Sequence, residues 1–226
     1  MIQFADFIKR DLHESISAVD VHNRTKFLVQ SIYTHYADFY SKNQPEAVGW
    51  MDGSENALIR NTKIYEAGIK DKDSVLDVGC GVAHFYYFLE NQGWNGEYLG
   101  IDPNEKAIKL IEDRIPTKCC SIEDLKDKKF DWTIASGVFN LGLKEDHSKW
   151  IIEKMIKSAK KGIVFNMLRA PYEHDEYEAY YPEKILEWLE KFDHRKIEIV
   201  EGYMKDNAEF TVNFIRYRWI KSLNII

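Results

Sequence analysis

From Ser74 onward the chain alternates short apolar runs with amphipathic stretches, and this alternation restricts its fold more than any other feature. "SVLDVG" (74–79) has no polar face, Asp77 excepted, as a strand buried on both sides requires. "VAHFYYFLENQG" follows as a helix that Gly93 terminates. "GEYLGID" is a second strand, and "PNEKAIKLIEDR" a second helix with Pro103 suited to its first position. "TKCC" is a short third strand leading into the acidic turn "SIEDLKD". "FDWTIASG", helix "DHSKWIIEKMIKSA", strand "GIVFNML" and helix "PEKILEWLEKF" continue the pattern. The last two strands, "KIEIVEGY" and "EFTVNFIRYRW", have no helix between them, which predicts antiparallel pairing. The expected class is α/β: a mostly parallel seven-stranded sheet with helices on both faces, closed by a C-terminal antiparallel hairpin strand.

Upstream, Phe4, Phe7, Ile8 and Leu12, then Phe27, Ile32, Tyr36, Phe39 and Tyr40, fall near helical spacing. Residues 1–48 are therefore expected to form an N-terminal helical cap on a domain spanning 49–226. "NQPEAVGWMDGSEN" interrupts the helical pattern, and "ALIRNTKIYEAG" resumes it as far as Gly68. The 226 residues suit one domain, with 45% hydrophobic and 30% charged residues as in soluble globular proteins. No apolar run approaches the roughly 20 residues of a bilayer span. The start "MIQFADFIKRDLHE" carries acids where a signal peptide is apolar, so a cytoplasmic location is expected and no membrane partner. The three cysteines, two of them adjacent, make neither a disulfide framework nor a zinc site. His174, Asp175 and Glu176 are sequence neighbours, which rarely converge on one ion, so no metal is expected. A net charge of −6 weighs against nucleic acid as partner.

Asp77, Gly79 and Gly81 stand at the carboxyl end of the first strand, where open α/β sheets bind their ligands. Glycine there permits a sharp turn and removes the Cβ that would hold a ligand away. Asp102 closes the second strand, where a carboxylate would accept both hydroxyls of a ribose. The alternative reading of Asp102 is a helix cap beside Pro103.

The run Asp77-Val-Gly79-Cys-Gly81-Val-Ala83, together with "GIDPNEKAI", resembles the class I S-adenosylmethionine-dependent methyltransferases, with their Rossmann-like fold. Their first motif reads roughly D/E-x-G-x-G-x-G, and Ala83 replaces its third glycine. The likeness covers roughly Ser74 to Trp219. It implies S-adenosylmethionine as cofactor, with Gly79 and Gly81 admitting the methionine part and Asp77 orienting the turn. It also implies Asp102 on the ribose, with Pro103 next to it in the pocket. Ser121 and Ile122 stand where the family meets adenine; Ser121 replaces a common acid, for which Glu123 is the substitute. Ser136 is expected beside the reacting end. Trp50 and Arg60 are expected to fold over the cofactor, Arg60 near the methionine carboxylate, although a core Trp and a surface Arg account for them equally.

After the fourth strand the chain reads "SGVFNLG", without the Asn/Asp-Pro-Pro-Tyr/Phe of many enzymes that methylate base amino groups or glutamine amides. A small-molecule acceptor, through O-methyl or similar transfer, is thereby favoured. Asn140, His147 and His174 are the candidate catalytic side chains; loop capping and a solvated first helical turn are the structural alternatives for the first two. The tyrosine-rich "MLRAPYEHDEYEAYYPEK" suits an acceptor lid. The competing functions are a nucleic acid or nucleotide methyltransferase, and an inactive nucleoside-binding subunit of the same fold.

Overall fold

The computed structural model describes residues 53–125, 128–140, 145–172 and 177–217. The expected cap over 1–48, Trp50 and His174 lie outside the described residues. Helix α1 (Gly53–Glu66) precedes β1 (Val75–Val78), α2 (His84–Asn91), β2 (Tyr98–Asp102), α3 (Glu105–Leu110) and β3 (Thr117–Cys119). Then come β4 (Phe130–Ala135), α4 (Glu145–Ser158), β5 (Ala159–Arg169), β6 (Ala179–Tyr180), α5 (Pro182–Leu189), β7 (Lys196–Val200) and β8 (Glu209–Ile215).

The strands form one sheet in the order β3-β2-β1-β4-β5-β8-β7. β1 pairs in parallel with both β2 and β4, so the strand order reverses at β1 and opens a crevice at its carboxyl end. β8 runs antiparallel between β5 and β7, as the helix-free ending requires. The expected seven strands are joined by an eighth, the two-residue β6 beside β5, inside the tyrosine-rich segment. Two boundaries also differ from expectation. α3 begins after Asn104 rather than at Pro103, because the Asn104 side chain accepts from the backbone N–H groups of Lys106 and Ala107 and so caps the helix. β5 extends back to Ala159, where the carbonyls of Ile156 and Ala159 accept from Arg216 Nη1.

Alternation along each strand sends its apolar residues to two cores. One face buries Leu76, Val78, Leu99, Ile101, Phe165 and Met167 against Ile152 and Met155 of α4 and Ile185 and Leu189 of α5. The other buries Val75, Tyr98, Ile134 and Val164 against Ile64 of α1 and Phe85, Phe88 and Leu89 of α2. Helices therefore cover both faces, as buried parallel strands demand.

At the β4–β5–β8 junction the backbones approach too closely for a side chain. A Cβ on Gly162 would lie 2.5 Å from the Phe214 carbonyl oxygen and 2.9 Å from the Trp132 ring. Gly162→Ala is expected to lower stability by roughly 1–3 kcal/mol, measured as a fall in the urea midpoint.

Candidate active site

The turn after β1 is stitched onto β2. Gly79 N and Cys80 N both donate to the Ile101 carbonyl, at 2.8 and 3.0 Å. Gly79 has φ +69° and Gly81 φ +54°, both in the left-handed region that favours glycine. Ala83, at the third small position of this turn, takes φ +62° and carries the strain of a side chain there. Gly79 also has a cause within the protein: a Cβ would meet Val138 Cγ2 at 2.5 Å. The bareness of this position thus follows from the turn after β4, in addition to any ligand.

Asp102 joins this turn to α3. Its Oδ2 accepts from Gly81 N at 3.0 Å and its Oδ1 from Asn104 N at 2.8 Å. The helix cap is Asn104, so Asp102 holds the two loops rather than the helix end. Each of its oxygens keeps a lone pair beyond these bonds, as a ribose diol requires. Cys120 N donates to the Asp102 carbonyl at 3.1 Å, bringing the turn at Ser121 beside the same strand end.

Asp77 and Asp102 are both buried, at 3% and 4% exposure. Burial pushes the Asp77 carboxyl up to about 7, against the hydrogen bond from Tyr98 Oη at 2.7 Å and with help from the charge on Asp102. Burial likewise raises Asp102 to about 6, opposed by its bonds from Asn104 and Gly81. Gly100 leaves room for this arrangement, since a Cβ would strike Cys80 Sγ at 2.8 Å and Tyr98 Oη at 3.1 Å. The site is a low-dielectric pair of acids, and such a pair is relieved by a cation. Sequence reasoning missed Tyr98, whose aromatic character reads as core while its hydroxyl serves Asp77.

Two further polar atoms at these strand ends, Ser136 Oγ after β4 and Asn104 Nδ2, are buried without a hydrogen-bond partner among the described residues. Native interiors seldom leave such atoms unpaired, so they suit a ligand's polar groups. Where an adenine contact is expected, Ile122 is packed in the core, the Ser121 backbone N–H donates to Asp124 Oδ2 at 2.9 Å, and Glu123 is exposed. Arg60 is neither a surface residue nor open on all sides: its Nε donates to both carboxylate oxygens of buried Glu209, at 2.9 and 2.8 Å. Asn140 Oδ1 accepts from Leu168 N at 3.0 Å, the loop-capping role. His147 stands in the first turn of α4 with its ring stacked on Trp150 at 5.6 Å. Glu178 is a carboxyl that the sequence did not single out. Its backbone N–H donates to the Asn140 carbonyl, and burial raises its side chain despite nearby Lys184.

Residues 69–212 match the model of a family described as "Methyltransferase domain", well over half of the chain. The chain belongs to that family. A putative methyltransferase of Mycobacterium tuberculosis is 26% identical over 109 residues, covering 43% of this chain and 64% of the relative. The methyltransferase chain thus spans less than two thirds of that relative's own length. Its fold is shared with 1,6-didemethyltoxoflavin-N1-methyltransferase of Burkholderia thailandensis, at 16% identity and TM-score 0.64, over 92% of this chain and 93% of that one. It is also shared with the N-methyltransferase NodS of Bradyrhizobium japonicum, at 17% identity and TM-score 0.63, over 83% and 98%. Both of these structures hold S-adenosylhomocysteine.

Because Asp77 is raised in the folded state, its proton favours folding. That stability is present at low pH and is lost as pH rises from the ordinary carboxyl range through about 7. Asp77→Asn is expected to flatten this slope, gaining on the order of 2 kcal/mol relative to wild type between pH 5 and 7.5, measured by urea unfolding at both values.

Proposed function

We propose that this chain is an S-adenosylmethionine-dependent methyltransferase acting on a small molecule through a hydroxyl, a carboxylate or a similar nucleophile. The observation that carries the reading is the bond from Gly81 N to Asp102 Oδ2, which joins two motifs 21 residues apart into one crevice at the strand reversal. Asp102 would hold the ribose hydroxyls. The Gly79–Gly81 turn would lie against the methionine part, and Ser136 Oγ and Asn104 Nδ2 would find partners on the nucleoside or its tail.

S-adenosylmethionine supplies a methyl group on a positively charged sulfur, whose departure as a neutral thioether needs no acid. The protein's part is then to orient, to exclude water and to tolerate the charge. An ionised Asp102 would favour the charged ligand over its demethylated product, because transfer of the methyl group removes the sulfonium charge. A base is required only where the acceptor must lose a proton. On the acceptor side, Tyr172 and Tyr177 meet edge to face at 6.1 Å, and both are exposed at the carboxyl edge of β5. Exposed aromatic faces suit a small, partly planar acceptor, and Glu178 sits beside them as a carboxyl able to accept a proton.

Titration calorimetry tests this reading. Wild type is expected to bind both S-adenosylmethionine and S-adenosylhomocysteine, and Asp102→Asn to lose roughly 10–100-fold in affinity, as the loss of charge-assisted hydrogen bonds implies. Absence of binding to wild type would overturn it.

A further inference from the structure

Behind the crevice lies a polar chain that the proposed reaction does not use. Arg60 of α1 and Glu209 at the start of β8 form a bidentate ion pair, with Glu209 only 2% exposed. Glu209 Oε2 also accepts from Asn166 Nδ2 at 3.1 Å. Asn166, fully buried in β5, accepts in turn from Gly137 N through its Oδ1, at 2.7 Å. Gly137 has φ +73° and directly follows Ser136. The chain therefore runs from α1 across the end of the sheet to the turn that carries Ser136 and Val138, and Val138 in turn occupies the space left by Gly79.

The chemistry of the members fixes its direction. A carboxylate only accepts, so Glu209 must face the amide nitrogen of Asn166, which leaves Oδ1 turned toward Gly137. The Gly137 N–H, which only donates, asks for the same orientation, so both neighbours hold the Asn166 amide one way round. The charge on Glu209 is tolerable at this depth because Arg60 balances it with planar, two-point geometry. A buried ion pair is seldom favoured for stability alone, since apolar residues of similar volume often do as well.

We propose that Arg60, Glu209 and Asn166 are positioning residues: a relay that holds the Ser136–Gly137 turn in the conformation that receives the methionine end of the cofactor. The relay couples α1 to the cofactor crevice, so a shift of α1 reaches Gly137 through three hydrogen-bonded links. This inference rests on the proposed cofactor reading.

Two variants test it. Asn166→Ala removes the link to Gly137 and leaves the ion pair whole. The double variant Arg60→Met with Glu209→Leu replaces the pair by apolar side chains of similar size, which preserves the fold while removing one of the two groups that hold the Asn166 amide. Melting temperature, S-adenosylhomocysteine affinity and amide hydrogen exchange at Gly137 are measured for each. Both folded variants are expected to bind about 10-fold more weakly than wild type and to exchange the Gly137 proton about 10-fold faster. Affinity within twofold of wild type in both, whatever the melting temperature, overturns the relay. So does a loss confined to Asn166→Ala, because the ion pair then has no part in it. Should wild type itself bind no S-adenosylhomocysteine, the cofactor reading fails, and the relay is judged by Gly137 exchange: unchanged exchange in the double variant overturns it as well.

Discussion

The carboxylate of Asp102 accepts one backbone N–H from the turn after β1 and another from the start of α3. Without it, Gly81 and Asn104 would each bury a donor, and the two loops that border the crevice would lose their common anchor. The arrangement is costly, since two carboxyls are buried near the ends of neighbouring strands. Their raised proton affinities express that cost. A fold that placed them there for packing alone could have used apolar residues.

Three devices keep the crevice in shape. The Ile101 carbonyl receives two donors from the glycine turn, so β2 sets the position of the turn. Val138, from the turn after β4, fills the space that a side chain at 79 would occupy, so β1 and β4 constrain each other. The ion pair of Arg60 and Glu209 reaches that same β4 turn through Asn166. The walls of the site are thus braced from both sides of the strand reversal, by β2 on one and by β5 and β8 on the other.

Much of this was legible in the order of residues. The alternation of apolar runs and amphipathic stretches is a local property with a period of its own, and it located the strands and helices and the antiparallel ending. Asp77, Gly79, Gly81 and Asp102 were legible because each lies at or just beyond the end of a strand, and strand ends are readable from flanking turns. Errors arose where a competing local interaction decided. Pro103 fits a first helical position, but the side chain of Asn104 caps α3 one residue later. Two residues of the tyrosine-rich segment join the sheet edge, a pairing too short to leave a periodic trace.

The partners of the long polar side chains were not legible. Arg60 stood out in the sequence but meets Glu209, 149 residues away, and Asn166 looked like one polar residue within a buried strand. Tyr98 lies in an apolar strand, and nothing local marks its hydroxyl as the donor to Asp77. The sequence by itself determined the α/β alternation, the glycine turn and the acids at the ends of β1 and β2, because each depends on neighbours a few residues away. Only the tertiary structure decided which distant groups share a proton, a charge or a donor, because those pairings form when the packed sheet brings strand ends within hydrogen-bond reach.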